Sequence, residues 1–343
     1  MNLSALSKTL GLSQTTVSRA LNGYPEVSEE TRARVKAAAD LHGYRPSAAA
    51  RRLATGQSGT LGVVFPRERN LLNDLRFTEF LGSCVARAAE LGYDVTLAMT
   101  SGSQNEESVY RRAVRSARVD AMILSSPTLH DHRLALLRDL KMPFILHGRT
   151  RSDIPYPHLD IDNEGSFQRA TAMLCGFGHR KIALLNGNPA YNYAYDRELG
   201  YRRALTAAGL QTDAALICSD EMTEQHGHDE TLRLLALPVS ERPTAFVCSS
   251  ISQAMGVQRS ARQLGLEIGR DLSLIAHDDR LHEFRAESFD PPLTATQSSI
   301  GDAGGRVVEL LINSLRDPDA PPPQEVWPVD LVVRASTVRP LQS

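Results

Sequence analysis

Between residues 13 and 22 almost every side chain is a hydrogen-bonding group: Ser13, Gln14, Thr15, Thr16, Ser18, Arg19 and Asn22. Short hydroxyls, amides and one guanidinium are the groups that meet base edges and phosphates in a major groove. A second set of chemistry-bearing residues is scattered along the rest of the chain. Ser125 and Ser126, His147 and Arg149, Ser249 and Ser250, and Asp278 and Asp279 each follow a short apolar run, while Arg197 opens a helix-prone stretch. A guanidinium and a carboxylate facing one cavity, here Arg197 and Asp278, suit a polyhydroxylated ligand, because each fixes two neighbouring hydroxyls. The same two residues read equally well as a structural ion pair. The motifs of catalysis are missing: there is no G-x-S-x-G elbow, no HExxH and no GxGxxG after the first apolar run. His226-Gly227-His228 spaces two imidazoles poorly for a metal and reads as surface loop. The expectation is a binding protein with no enzyme activity, no cofactor and no metal.

The elements that must present the first set can be read from its flanks. Leu3, Leu6, Ser7 and Leu10 recur at helical spacing after Asn2, a capping residue type. Gly11 ends that helix, and Ser13 is placed to cap a second one starting at Gln14. Val17 and Leu21 form its apolar inner stripe, which turns Gln14, Thr15, Ser18, Arg19 and Asn22 elsewhere. This is either a DNA-reading helix pair or an ordinary solvated hairpin. Ser28-Glu29-Glu30 opens a third helix with Val35, Ala38, Ala39 and Leu41 on its core side, and Gly43 stops it. The segment Ser47-Ala48-Ala49-Ala50-Arg51-Arg52-Leu53-Ala54 is helix-prone but too short to hold a helix alone, so its order must come from a partner.

From Thr60 the pattern becomes a strand and helix alternation. Apolar runs at Leu61-Gly62-Val63-Val64-Phe65, Val95 to Met99, Ala121 to Leu124, Phe144 to Leu146, Ile182 to Leu185, Ala245 to Cys248 and Leu272 to Ala276 are separated by helical stretches. Such continuous apolar strands mean parallel sheets covered on both faces, and 343 residues accommodate two. Ligands of such folds sit at the carboxyl ends of strands, which is why the residues just after each run are the candidates. Charge divides unevenly. Residues 1 to 58 hold eight Lys/Arg against four Asp/Glu, a surplus of +4, within a chain whose net charge is −2. A basic head on an acidic body suits a nucleic-acid partner for the head alone. Cys84, Cys175, Cys218 and Cys248 form no CxxC pair and read as buried thiols of a reducing compartment. No leader or bilayer-spanning run is present, so a soluble, cytoplasmic protein without a membrane partner is expected.

The run from Leu12 to Asn22, then Val27-Ser28-Glu29-Glu30-Thr31-Arg32, Gly43-Tyr44-Arg45-Pro46 and Ala50-Arg51-Arg52-Leu53-Ala54, resembles the headpiece and hinge of the lactose-repressor (LacI/GalR) family. Farther on, Asp160-Ile161-Asp162-Asn163-Glu164-Gly165, Gly178-His179-Arg180-Lys181-Ile182-Ala183, the stretch from Arg197 to Leu205, and His277-Asp278-Asp279 resemble the family's effector-domain motifs. The resemblance implies an all-α helix-turn-helix headpiece (1–45), a hinge helix and linker (46–59), and a two-lobed α/β sensor with parallel sheets, similar to periplasmic binding proteins (60–343). It places lobe one at 60–160 and 292–321 and lobe two at 161–291 and 322–343, with crossings near Asp160, Pro291 and Pro321 to Pro323.

By the same resemblance Gln14, Thr15 and Arg19 read base edges, and Ser13, Thr16, Ser18 and Asn22 hold phosphates. Arg51 and Leu53 act from the hinge, with Leu53 wedged into a minor groove. Effector-binding falls to Phe77, Ser125, His147, Arg197, Ser250 and Asp278. Two departures from the family pattern stand out. Ser249-Ser250 replaces an Asn-Asp pair, and Met222 falls where a large aromatic often stacks on the sugar, which leaves Phe77 as the aromatic candidate. The implied function is a homodimeric repressor of a carbohydrate operon, bound to palindromic double-stranded operator DNA and released by a small sugar, most similar to repressors of alpha-glucoside utilisation. Alternatives are a regulator using a purine or sugar phosphate as co-repressor, and a sugar-binding transport protein. With no trailing heptads after Val338, a dimer is expected rather than a tetramer.

Overall fold

A computed structural model describes residues 2–21, 23–44, 57–66, 74–100 and 106–340. Asn22, Arg51 and Leu53, three of the proposed DNA-binding residues, and the short hinge segment lie outside the described residues.

The head is three helices, α1 (Leu3–Leu10), α2 (Gln14–Leu21) and α3 (Glu29–Leu41). The Asn2 side chain accepts from the Ala5 N–H, and Gly11 takes the left-handed conformation (φ 65°) that lets the chain turn from α1 into α2. Ser28 caps α3 through the Thr31 N–H. Leu6, Val17, Ala20, Val27, Val35 and Ala39 form the core where the three helices meet. The inner stripe of α2 is therefore Val17 with Ala20, and Leu21 is only partly covered. Leu41, expected on the core side, is 81% exposed, because at about 100° per residue it lies off the face of α3 that turns Val35 and Ala39 into the core.

The body contains two six-stranded sheets. Lobe one uses β1 (Thr60–Pro66), β2 (Asp94–Thr100), β3 (Ala121–Ser125), β4 (Phe144–His147), β5 (His158–Ile161) and β11 (Gln324–Trp327), ordered β11-β5-β4-β3-β1-β2 and parallel throughout. Helices α4 (Leu75–Glu90), α5 (Glu106–Arg115), α6 (Arg133–Asp139) and α11 (Ile300–Arg316) cover it. Lobe two uses β6 (Ile182–Asn186), β7 (Ile217–Ser219), β8 (Ala245–Cys248), β9 (Ser273–Asp278), β10 (Thr294–Gln297) and β12 (Asp330–Val332), with α7 (Asn163–Phe177), α8 (Asn192–Ala207), α9 (Glu224–Leu235) and α10 (Ile251–Gln263). Its one antiparallel strand is β12, paired with β10 at the edge. The apolar runs form these strands because both sheet faces are covered: Leu61, Ile123 and Ile145 in lobe one, and Leu184, Phe246 and Leu274 in lobe two, are fully buried. Each such side chain contributes about 1.5–3 kcal/mol.

Strand pairing corrects the expected lobe boundaries. The first crossing follows β5, as expected near Asp160, but β10 pairs with β9, so residues 294–297 belong to lobe two. The second crossing therefore lies between Gln297 and Ile300 rather than near Pro291. The third separates β11, in lobe one, from β12, in lobe two, and so passes through Pro328 and Val329. The Pro321 to Pro323 run only leads into β11. Proline marks a break in hydrogen bonding, not which sheet the next strand joins. His226-Gly227-His228 lies within α9 rather than in a loop, and no group of residues able to hold a metal occurs among the described residues.

Candidate binding cleft and nucleic-acid interface

A cavity of about 700 Å³ lies between the carboxyl ends of the two sheets. Lobe one contributes the start of α4 (Asp74, Arg76, Phe77, Phe80), Ser125 and Ser126 after β3, His147 and Arg149 after β4, and Asp160. Lobe two contributes Asn163, Tyr193, Arg197, Met222, Ser250 and Asp279. Asp74 starts α4 by accepting from the Arg76 N–H, and the same carboxylate takes the Arg76 guanidinium through Nε (3.0 Å) and Nη2 (2.8 Å). One residue thus caps the helix and aims its first cation. Gly304 lets α11 approach closely enough to hold α4 in place, since a Cβ there would lie 2.5 Å from the Phe80 carbonyl oxygen. His147 stacks on Phe80 with ring centroids 4.5 Å apart.

Arg197 is buried, with Nε donating to Asn163 Oδ1 (2.8 Å), Nη1 donating to the Ser249 carbonyl (2.7 Å), and its guanidinium between the Phe167 and Tyr193 rings. Asn163 in turn donates to Asp160, which also receives Arg149 Nε at 2.7 Å. A polar chain therefore runs from Arg149 in lobe one to Arg197 in lobe two. Burial pushes the Arg197 guanidinium below its usual value, against the pull of Asp279. For Asp279, burial works to raise the carboxyl, but His277, Arg76 and Arg197 outweigh it and hold it below the ordinary range. Burial lowers His147, which leaves a neutral imidazole on the wall. Across the cleft, Arg76 Nη1 lies 2.8 Å from Met222 Sδ. At the cavity rim the lobes also join where Asn192 N–H donates to the carbonyl of Pro127, itself a lining residue, at 3.0 Å.

In the head, Gln14, Thr15 and Arg19 are exposed along α2, and with Leu3, Ser18 and Tyr24 they border a shallow depression. Ser13 Oγ accepts from the Thr16 N–H (3.0 Å) and shares a hydrogen bond with Thr16 Oγ1 (2.9 Å), so these two hydroxyls shape the first turn of α2. The arrangement offers one helix whose polar face is uncovered, on a domain with its own core.

Residues 8–47 match the family model described as bacterial regulatory proteins, lacI family, and residues 171–337 match a periplasmic binding protein-like domain. The chain is 44% identical over 338 residues to the HTH-type transcriptional regulator AglR of Rhizobium meliloti (strain 1021), covering 98% of this chain and 94% of that one. The chain belongs to the lacI family of bacterial transcriptional regulators. Among solved structures, the lac repressor dimer bound to operator and an anti-inducer superposes with a TM-score of 0.80 at 25% identity, covering 98% of this chain and 99% of that one. A transcriptional regulator CelR–cellobiose complex gives 0.71 at 26% identity, over 98% and 100%.

Within this lacI-family fold, Phe77, Ser125, His147, Arg197 and Ser250 all line the cavity. Phe77 is at once wall and core, packed against Phe65 at 5.6 Å. Ser250 also caps α10 through the Gln253 N–H. Asp278 does not line the cavity. Its carboxylate is fully buried and accepts from the Arg280 N–H (2.7 Å), the Ala286 N–H (3.0 Å) and Gln297 Nε2 (3.1 Å), so it holds the loop after β9. Asp279, one residue past the strand, faces the cavity instead. Arg197 and Asp278 form no ion pair with each other, which removes the structural alternative read from sequence. Asp74, Arg76, Asn163 and Tyr193 also line the cavity, and sequence reasoning does not single them out. Asp74 carries a signal, a capping residue type two positions ahead of Arg76, but the apolar spacing alone places the helix start at Phe77.

Proposed function

We propose that this regulator is a repressor whose cleft takes a neutral, hydroxyl-rich sugar and whose hold on DNA is released when the sugar binds. The observation that carries the ligand class is charge balance. The cavity wall holds three arginines, Arg76, Arg149 and Arg197, against Asp74, Asp160 and Asp279, with Glu221 and Glu224 adding negative charge. A phosphate needs unmatched cations or free helix-terminal donors; this wall has no cationic surplus, and the helix starts that reach it are already capped by Asp74, Thr223, Ser250 and Ser299. Paired guanidinium and carboxylate groups instead offer fixed donors and acceptors to neighbouring hydroxyls. This disfavours the sugar-phosphate reading. The cellobiose complex of a related fold supports the sugar class, and the operator-bound lac repressor dimer supports a homodimer on a palindromic site. A transport protein has no use for the basic head, so that reading falls behind.

In this scheme Gln14, Thr15 and Arg19 read bases, and Ser13, Thr16, Ser18 and Asn22 hold phosphates. Arg51 and Leu53 enter the minor groove from a hinge that folds on DNA. Phe77, Ser125, His147, Arg197 and Ser250 bind the sugar, with Asp279 in the place that the family resemblance gives to Asp278. The working domain division is head 1–45, hinge 46–59 and the two lobes beyond. Thermal-shift screening tests the ligand class: a neutral mono- or disaccharide at a hundred times its Kd adds about 2.7 kcal/mol of stability. Stabilisation by sugar phosphates alone sinks the proposal. For the hinge, the operator should bend on binding, and the bend should shrink in Leu53→Ala. A labelled operator that stays straight with the wild-type protein removes the wedge.

A further inference from the structure

The end of lobe one from which the hinge departs carries a cluster of cations that the cleft and the reading helix do not use. Residues 111–120 hold four arginines against one aspartate, in a body whose charge beyond residue 58 is otherwise acidic. Arg111 is held by Glu107 on α5. Arg112, Arg115 and Arg118 are exposed, and among the described residues none makes a hydrogen bond or ion pair. Of the two carboxylates at this end of the sheet, Asp94 stands on β2, on the far side of β1 from β3, and Asp120 is committed elsewhere: its two oxygens accept from the Ser58 and Gly59 N–H groups, each at 2.7 Å. Those two backbone groups are where the chain arrives from the head and hinge. β1 and β3 are neighbouring parallel strands with Leu61 opposite Ala121, so Arg118 and the arriving chain share one end of the sheet. Ala117, in the left-handed region at φ 44°, forms the turn between the arginines of α5 and Arg118.

We propose that Arg112, Arg115 and Arg118 form a second DNA-binding surface, carried by the body, that takes backbone phosphates beside the hinge. The proposal rests on the reading of this chain as an operator-binding protein whose hinge lies on the DNA. Ser58 is five residue steps beyond Leu53, a span of at most about 18 Å fully extended, so a hinge seated in the groove brings this end of lobe one close to the flanking phosphates. The partial charge at the carboxyl end of α5 gives Arg112 and Arg115 a local role. It gives none to Arg118, which lies beyond the helix, and it leaves all three side chains facing solvent. Unpaired guanidiniums of this kind add sequence-independent affinity through counterion release.

The test is operator affinity of the full-length protein against salt concentration, for wild type and for the triple variant Arg112→Gln, Arg115→Gln, Arg118→Gln. Removing one arginine–phosphate interaction should reduce the slope of log K against log salt by about 0.9, hence by up to about 5 for a dimer deprived of all six. Affinity should fall equally for operator and unrelated DNA, while sugar affinity by calorimetry stays unchanged. Arg203→Gln, at an exposed arginine of lobe two, removes one charge of the same kind and should leave the slope alone, where any one of the three lobe-one arginines should lower it. An unchanged slope in the triple variant overturns the proposal. So does a lowered melting temperature with an unchanged slope, because the arginines then serve only α5. Wild-type protein with no preference for operator over unrelated DNA removes the functional reading and this one together.

Discussion

The head and the cleft solve recognition in opposite ways. In the head, the candidate DNA-binding groups sit on one short helix, exposed, over a small core formed by other residues. In the cleft the cavity-facing groups come from segments between Asp74 and Ala303, and the charged ones at its centre, buried at Asp160 and Arg197 and half-buried at Asp74, Arg76, Arg149 and Asp279, compensate one another. A surface helix can therefore lose a side chain without harm to its fold, whereas the cleft cannot lose a charge without exposing the charge that balanced it.

The largest expected effect tests the cleft side of that contrast. Arg197→Ala should abolish the response to sugar and also lower stability by roughly 3 kcal/mol, since it removes two hydrogen bonds to a charged group and strips Asp279 of a counter-charge. Urea unfolding alongside calorimetry reads both effects. Full stability with sugar binding retained would break the comparison. Arg19→Ala should do the reverse, costing about 1–3 kcal/mol of operator affinity per half-site at one base position. Its unfolding free energy should stay within about 0.5 kcal/mol of wild type. Equal weakening on all DNA sequences would make Arg19 a phosphate-binding residue.

A finer contrast lies within one dipeptide. Asp278→Asn should lower stability by about 1–3 kcal/mol and leave sugar affinity intact, because its partners are the backbone and Gln297. Asp279→Asn should weaken sugar binding with a smaller change in stability. Exchange of these two outcomes would return the ligand role to Asp278.

The smallest effect is on pH. His147, His158, His179 and His277, all in the lobes, are lowered by burial from the ordinary value of 6.5. A histidine depressed in the folded state binds more protons when unfolded, so its contribution is complete above pH 6.5 and is lost as pH falls below it. Melting temperature should hold from about pH 8 to 7 and decline from about 6.5 downward, in wild type and Arg19→Ala alike. A profile that stays flat to about pH 5 would mean that these imidazoles are solvated.

Structure is legible in the sequence where the chemistry is local and hidden where it depends on pairing between distant segments. The reading helix and its caps follow from Asn2, Gly11 and Ser13, all within a few residues of what they organise. Leu41 misleads because an apolar residue type invites a core position, whereas the helical period turns it away from the face shared by Val35 and Ala39. The apolar strands are evident from Leu61 to Ala276, yet the sheet joined by β10 or β11 is decided by hydrogen bonds to strands far away in the chain. Asp278 and Asp279 are adjacent carboxylates, and only the end of β9, where strand alternation stops, separates the structural one from the one facing the cavity. Arg76 escapes notice because its orientation comes from Asp74, whose capping role shifts the helix start.

The three crossings also order events in time. Lobe one cannot close until α11 brings Val307, Val308 and Leu311 into its core, and lobe two waits for β12 and for Ser336 and Val338 to dock on Leu274, Ser273 and His179. A ribosome emitting this chain therefore releases the head, whose packing is all local, long before either lobe can be completed. Until the segment carrying β12, Ser336 and Val338 emerges, the nascent protein is a folded reader attached to an unfinished sensor, and synthesis of that segment is what first places the reader under control.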